Sequence, residues 1–487
     1  MASPLPDLAR DWTGVELREA LDAASEWAVR YRARVAELPV FPSVVPGETQ
    51  ARLPPCPPRE PEDLDVVLGD LDEIIVPGLT HWNHPGFFAY FASSARGPSV
   101  VAELLIAAVG VNAMLWRTSP AATELEGVVV DWLRQAVGLP EGFRGMILDT
   151  ASTSSFTAVL AARERADPDA REDGVDPRRR SLAVYVSDQA HSSVEKSVIA
   201  AGLGRSSVRK VPSDEVFRMD PAALEAAIER DLAGGVTPAL VTATLGTTST
   251  ASVDPIGRIA EVAGRHGVWL HVDAAYAGPA AMLAEERPAF DGWESADSIV
   301  INPHKWLGTS LDCSVLLFRD ASPFRSALSL NPAYLESEHP GVTNLNELGL
   351  PLGRRFRALK LWLLFRCVGT AAIEATLRTH IGWARWLAEA LEADPRFELA
   401  APVGFGTVCF RAVAAAGGAE EEALNRAVLA RVNASGEAFI SHTELSGRYT
   451  LRLSIGSVHT RAGDVETALR RLEEAVDAEL EESGRSA

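Results

Sequence analysis

The feature that most limits the fold is an alternation that begins at Arg144. Short apolar runs (GMILD, LAVYVS, ALVTATLG, VWLHVD) take turns with helix-like segments (SSFTAVLAARERA, HSSVEKSVIAAG, PIGRIAEVAGRHG). Apolar runs of this length suit strands covered on both faces, and their alternation with helices suits βαβ units. The expectation is an α/β fold around a mainly parallel sheet covered by helices on both faces. Ligands of such sheets sit beyond the carboxyl ends of the strands, so candidate chemistry is sought there. A further run, ADSIVI, ends at Ile301, and Asp312 to Arg319 reads as another strand.

The flanks read differently. Glu16 to Leu38 spaces Leu17, Leu21, Ala24, Ala28, Tyr31 and Val35 at steps of four and three, which gives a helix with one apolar face. The proline-rich stretch from Pro42 to Pro61 is read as an extended arm without regular structure, and a second helix follows from about Pro61 to Ile75. Two helices and an arm make a poor core, so this segment is expected to pack on another surface, a second subunit being one choice. The aromatic run HWNHPGFFAYF at 81–91 is either a clamp holding the arm or part of a site. Ser119 before Pro120 is a helix start. Residues 329–349 read as a long loop of the kind that forms lids. The remainder reads as a small α+β domain, giving expected domains at 1–96, 97–361 and 362–487.

Charge narrows the partners. A net charge of −20 and a pI near 5.0 argue against nucleic acid and anionic membranes and favour a small-molecule substrate. The first residues have no basic-then-apolar succession of a signal peptide, and Val100 to Trp116 is too short and too interrupted to span a bilayer, so the expected location is cytoplasmic. Four scattered cysteines indicate neither a disulfide framework nor a zinc site, and no metal is expected.

The chemistry gathers at the strand ends. Lys305, in NPHKW, follows an apolar run broken by Pro303; at a dry lip its amine would be neutral enough to form an imine. It is one of only four lysines among 46 basic residues, and arginine cannot do this chemistry. A partly exposed, snorkelling lysine is the plain alternative. Thr150 to Ser155 lies where a strand hands over to a helix and could seat a phosphate or simply cap the helix. Asp273 ends VWLHVD, where it could meet a protonated pyridine nitrogen or cap the next helix. His191 could stack on a flat ring or serve as a cap. Taken in order, anion turn, histidine, aspartate and lysine suit pyridoxal 5'-phosphate.

The segments HWNHPGFFAYF, SPAATELEGVVVDWL, SDQAHSSVEK, TLGTT, HVDAAYAG, NPHKW and PLGRRFRALKLW resemble the group II decarboxylases that depend on pyridoxal phosphate, near aromatic-L-amino-acid decarboxylase, over about residues 10–470. The resemblance implies a fold type I homodimer whose mainly parallel sheet has seven strands, with a swapped N-terminal helical segment. It makes Lys305 the lysine that carries the cofactor, Asp273 the partner of the ring nitrogen, Ala275 the residue beneath the ring and His191 the stacking residue. It also implies Ala151 and Ser152 at the phosphate, Thr248, Asn302 and His304 as further cofactor contacts, and Trp82, Tyr90, Ser93 and Met114 at the substrate, Met114 from the neighbouring subunit. The family's decarboxylases carry a loop tyrosine, thought to protonate the substrate carbon, six residues before the proline of PLGRR. Here that position is Leu345, and no tyrosine occurs between Tyr334 and Pro351. The expected reaction is decarboxylation of an aromatic L-amino acid to its amine, with His339, His191, His304 or water giving the proton; the alternative is oxidative deamination to an aldehyde. An aminotransferase and a silent binding protein are weaker readings.

Overall fold

Seven strands form the central sheet of the computed structural model, which describes residues 11–330, 341–413 and 418–482. They are β1 (Arg144–Leu148), β2 (Leu182–Ser187), β3 (Val208–Val211), β4 (Thr237–Thr244), β5 (Trp269–Asp273), β6 (Ser298–Ile301) and β7 (Ser314–Phe318), ordered β1-β7-β6-β5-β4-β2-β3. Strands β3, β2, β4, β5 and β6 run parallel, and β7 is antiparallel to both of its neighbours. The mainly parallel seven-stranded sheet is therefore present.

Strands β2 and β5 are buried at every position because both faces of the sheet are covered. Along β2, Ala183 and Tyr185 enter one core and Leu182, Val184 and Val186 the other. The helix Ile256–His266 shows how a face is covered: Ile256, Ile259, Val262 and Ala263 fall on one side and are buried. Gly267, at φ +65°, then ends that helix in the left-handed conformation that favours glycine.

Two local expectations are corrected. The edge strand β3 and the helix after it, Pro221–Ala233, are absent from the alternation read above. As a short edge strand, β3 is only partly buried, with Val211 its one buried residue, so its sequence VRKV mixes Arg209 and Lys210 with valines and carries no unbroken apolar signal. The proline-rich arm also contains a short helix, Glu48–Arg52, opened by Gly47 at φ +90°. The proline-free stretch between Pro46 and Pro54 is long enough for it.

Beyond the sheet, β8 (Phe397–Leu399), β9 (Thr407–Ala412), β10 (Ser441–Leu445) and β11 (Arg448–Ser454) form an antiparallel sheet ordered β10-β11-β9-β8. It packs with the helices Thr370–Ala393, Gly418–Ala434 and Ala462–Glu482 around Leu387, Phe410, Val428, Leu453 and Leu472, the expected small α+β unit. At the other end, the helix Gly14–Arg34 is started by a capping box between Thr13 and Glu16, and none of its residues is buried. Its neighbourhood exposes Trp12, Val15, Leu17, Leu21 and Val29, and the helix Gly97–Val109 exposes Val100, Val101, Leu104, Leu105 and Val109. Among the described residues no helix is long and apolar enough to cross a membrane.

Candidate active site

The carboxyl ends of β1, β2, β4, β5 and β6 reach one edge of the sheet, and a cavity of about 180 Å³ opens there. Ala151, Ser152, His191, Thr248, Asp273, Ala275, Asn302 and Lys305 all line it, so eight residues named from sequence meet in one place. Phe91, Thr150, Ser193, Thr244, Gly246 and Tyr276 complete the wall. Gly246 is required: at φ +87°, a Cβ there would stand 2.7 Å from that of Ala277.

One end of the cavity is built for an anion. The helix Ala151–Ala166 begins on its wall, and its first intrahelical bond runs from Ser154 N to Thr150 O. The amides of Ala151, Ser152 and Thr153 therefore have no partner one turn back, and the helix dipole adds positive potential. Two hydroxyl contacts pin this helix to the sheet: Ser154 Oγ to Ser314 Oγ at 2.8 Å and Ser155 Oγ to His271 Nε2 at 3.4 Å. Nearby, Thr244 Oγ1 is buried and has no hydrogen-bond partner among the described residues, as befits an atom that meets a polar ligand. His304 stands behind Asn302. Its Nδ1 accepts from Cys313 N at 3.0 Å and its Nε2 lies 3.2 Å from the Asn302 amide group. Burial pushes the His304 ring down to about 4, so it is neutral and carries its proton on Nε2.

The other end holds the reactive groups. Asp273 is buried at the end of β5; Oδ1 accepts from Ala275 N at 3.1 Å, and no cation pairs with it among the described residues. Such a carboxylate is costly unless a positive group meets it. Burial pulls the Lys305 amine below the ordinary lysine value, Asp273 opposes that, and Arg452 reinforces it. Lys305 Nζ lies 5.3 Å from the centre of the Phe91 ring, which stacks on Tyr276 at 3.7 Å. His191 caps the helix Ser192–Ala200. Its Nδ1 accepts from Ser193 N at 3.2 Å and lies 2.7 Å from Ser193 Oγ, which leaves Nε2 to carry the proton of the neutral ring. Burial lowers the pKa of that ring, with Asp273 opposing and Lys305 adding to the effect. A phosphate seat, an unpaired carboxylate for a ring nitrogen and a dry amine fit pyridoxal phosphate.

Other expected residues lie outside this lining. Trp82 and Tyr90 are exposed and stacked at 6.0 Å, just ahead of Phe91 in the chain, and Ser93, two residues after Phe91, is half-buried. Met114 and Leu345 sit together elsewhere. Met114 O accepts from Asn346 N at 3.0 Å, and Leu345 is buried among Met146, Leu148 and Phe318 beside a second cavity of about 450 Å³. His339 lies outside the described residues. Sequence reasoning passed over Arg452, Ser193, Thr244 and Tyr276; the last three stood within quoted motifs, whereas Arg452 is one of several polar positions that alternate with apolar ones along β11.

Comparison with known proteins agrees with this geometry. Residues 46–413 match the pyridoxal-dependent decarboxylase conserved domain. The chain is 39% identical to tryptophan decarboxylase 1 of Oryza sativa subsp. japonica over 463 residues, 91% of this chain and 90% of that protein. It is 38% identical to phenylacetaldehyde synthase of Arabidopsis thaliana over 473 residues, 94% and 95% of the two chains. The crystal structure of Oryza sativa TDC with PLP and tryptamine superposes with a TM-score of 0.93 at 36% identity, covering 97% of this chain and 99% of that one. With that likeness running nearly end to end, and with an anion seat, carboxylate and amine in one cavity, the chain belongs to the pyridoxal-dependent decarboxylase family.

Proposed function

We propose that the substrate is an aromatic L-amino acid, converted to its amine and CO2. The chain is a carboxy-lyase dependent on pyridoxal phosphate, and the observation that carries the substrate reading is the aromatic wall of the cavity, Phe91 stacked on Tyr276, with Tyr90 and Trp82 stacked on each other just before it in the chain. Bound there, pyridoxal phosphate supplies an electron sink for the bonding pair that CO2 leaves behind. The chain's own residues do the rest. Lys305 offers a neutral amine to hold the cofactor and to be displaced by substrate. Asp273 would keep the ring nitrogen protonated, and Ala275 and His191 would help hold the ring. The amides at Ala151 and Ser152 take the phosphate, with Thr248, Asn302 and His304 as further contacts. The apolar walls of Phe91 and Tyr276 keep water from the substrate carboxylate, which favours its loss. Trp82, Tyr90 and Ser93 position the side chain, with Met114 contributed by the second subunit.

The working unit of this reading is a cytoplasmic homodimer, with residues 1–96 exchanged between copies, 97–361 binding the cofactor and 362–487 forming the small domain. The apolar surface left open on the helices Gly14–Arg34 and Gly97–Val109 supports it. A second reading has a specific basis, because Leu345 stands at the loop-tyrosine position and the chain resembles a phenylacetaldehyde synthase as closely as a decarboxylase. Without a prompt proton donor, O2 and water would convert the amino acid to aldehyde, CO2, ammonia and hydrogen peroxide. Incubating the holoenzyme in air with tryptophan, tyrosine, phenylalanine, dopa and leucine separates the readings. Amine matching CO2, without peroxide and without turnover of leucine, is expected; equal aldehyde and peroxide would replace the amine reading, and preference for leucine would end the aromatic one.

A further inference from the structure

We propose that Arg452 positions both Lys305 and the aromatic wall beside it. From β11 of the small domain, its buried guanidinium anchors the turn at Tyr90, covers the Phe91 ring and sets an uncompensated positive charge beside the lysine amine.

Arg452 is 3% exposed. Its Nη1 donates to Tyr90 O at 2.6 Å and its Nε to Ser249 O at 2.9 Å, while Nη2 is buried without a partner among the described residues. No carboxylate forms an ion pair with it among the described residues. Burying a charge on such terms is unfavourable for folding alone, since an apolar side chain on β11 would pack as well. Its neighbours Leu451 and Leu453 do pack into the small-domain core, and the alternation of the strand turns Arg452 the other way, toward the cavity.

Each contact has a consequence at the site. Tyr90 is a non-glycine residue at φ +52°, a strained conformation that persists only where its surroundings hold it. The bond to its carbonyl is such a hold. Ser249 belongs to the turn after β4 that also carries Gly246 and Thr248 to the cavity. The guanidinium lies 4.6 Å from the centre of the Phe91 ring, the same ring that Lys305 Nζ approaches at 5.3 Å. Only arginine can meet two carbonyls from different segments while covering a ring; lysine would keep the charge and lose the fork. The charged and titratable groups around Lys305 are Asp273 on β5, His191 ahead of its helix, Tyr276 after β5, whose ring stacks on Phe91, His304 in the same loop and Arg452 on β11. Asp273 favours the ammonium form and Arg452 the amine.

This inference rests on Lys305 being the lysine that carries the cofactor, which borohydride fixation and peptide mapping of the wild-type protein test separately. The measurement is the rate at which the full chain, freed of cofactor, captures added pyridoxal phosphate as a function of pH, together with KM and kcat for an aromatic substrate. Arg452→Gln is expected to raise the pH midpoint of capture and slow it about tenfold at neutral pH, whereas Arg452→Lys keeps the midpoint. Both variants are expected to raise KM for the aromatic substrate because Tyr90 loses its anchor. A midpoint unmoved in Arg452→Gln would overturn the electrostatic role, and unchanged KM in Arg452→Lys would overturn the positioning role. If Arg452→Gln does not accumulate, the lysine variant decides the positioning role through KM, and Arg452→Met, which keeps the stem without the charge, is read for the midpoint.

Discussion

Asp254 holds Thr244 at the edge of the cofactor cavity: Oδ2 accepts from Thr244 N at 2.7 Å, while Oδ1 takes Met219 N at 2.7 Å. Both amides are buried and have this carboxyl group as their partner. Replacing Asp254 by alanine strands two donors, which should cost about 2–5 kcal/mol and loosen the cofactor by releasing Thr244. Burial raises the Asp254 carboxyl to about 6, whereas an unfolded aspartate titrates near 3.8. Its stabilising effect is therefore full in acid and lost as pH rises from about 4 to about 6. Asp254→Asn lacks this term, so urea titrations should find the gap between wild type and Asp254→Asn narrowing from pH 5 to 6 and constant above 7.

Three deeply buried histidines act in the opposite sense. Burial pushes His271, His304 and His380 down to about 4. The unfolded chain takes up protons near pH 6.5 while these rings stay neutral, so stability falls as pH drops from about 6.5 toward 4. Each ring contributes a slope of up to about 1.4 kcal/mol per pH unit, and Asp254 offsets one of the three. Urea midpoints measured at pH 7.5, 6.0 and 5.0 should therefore decline progressively. Equal midpoints at pH 7.5 and 5.0 would mean that these rings are not buried neutral in solution.

Lys305 and Asp273 are expected to separate by substitution. Lys305→Ala removes the amine and should abolish turnover along with the absorption band of the bound cofactor. Asp273→Asn keeps the shape and the bond from Ala275 N to the side-chain oxygen, but removes the charge that holds the ring nitrogen protonated. Its kcat should fall by about 10²–10³-fold with little change in fold, and circular dichroism with cofactor titration checks both halves. An asparagine variant within a few fold of wild type would exclude the pairing role.

How much the sequence makes legible depends on how locally each feature is encoded. Strands β2, β4, β5 and β6 are buried on both faces, so their apolar runs declare them, and the residues at their ends fall to the cavity by chain direction alone. Edge strand β3 carries no such signal because it is short and only partly buried, with Val211 its one buried residue. Arg452 was illegible for another reason. Its role depends on contacts with Tyr90 and Ser249, 362 and 203 residues away, and no local pattern marks an arginine in a short strand as facing a cavity. Leu345 shows the reverse limit, since counting back from Pro351 assigns it a position in the family pattern but cannot tell what surrounds it.

That surrounding yields the last prediction. Restoring the family's tyrosine by Leu345→Tyr looks from sequence alone like a way to supply a proton donor and drive the product toward amine. In the fold, Leu345 is 4% exposed and packs with Met146, Leu148, Phe318, Phe324 and Leu348, away from the lining of the cofactor cavity. A phenol there must push aside these packed neighbours or turn its ring into the adjoining cavity of about 450 Å³, a change of shape that should cost about 1–3 kcal/mol. The ratio of amine to aldehyde should stay as in wild type, because the new hydroxyl has no path to the substrate carbon while the segment 344–346 remains tied to Met114 and Trp116. Thermal melting and product analysis of the variant under air read the two expectations independently. A shift toward amine with unchanged stability would mean that this segment leaves the core during turnover and that the residue at 345 reaches the substrate after all.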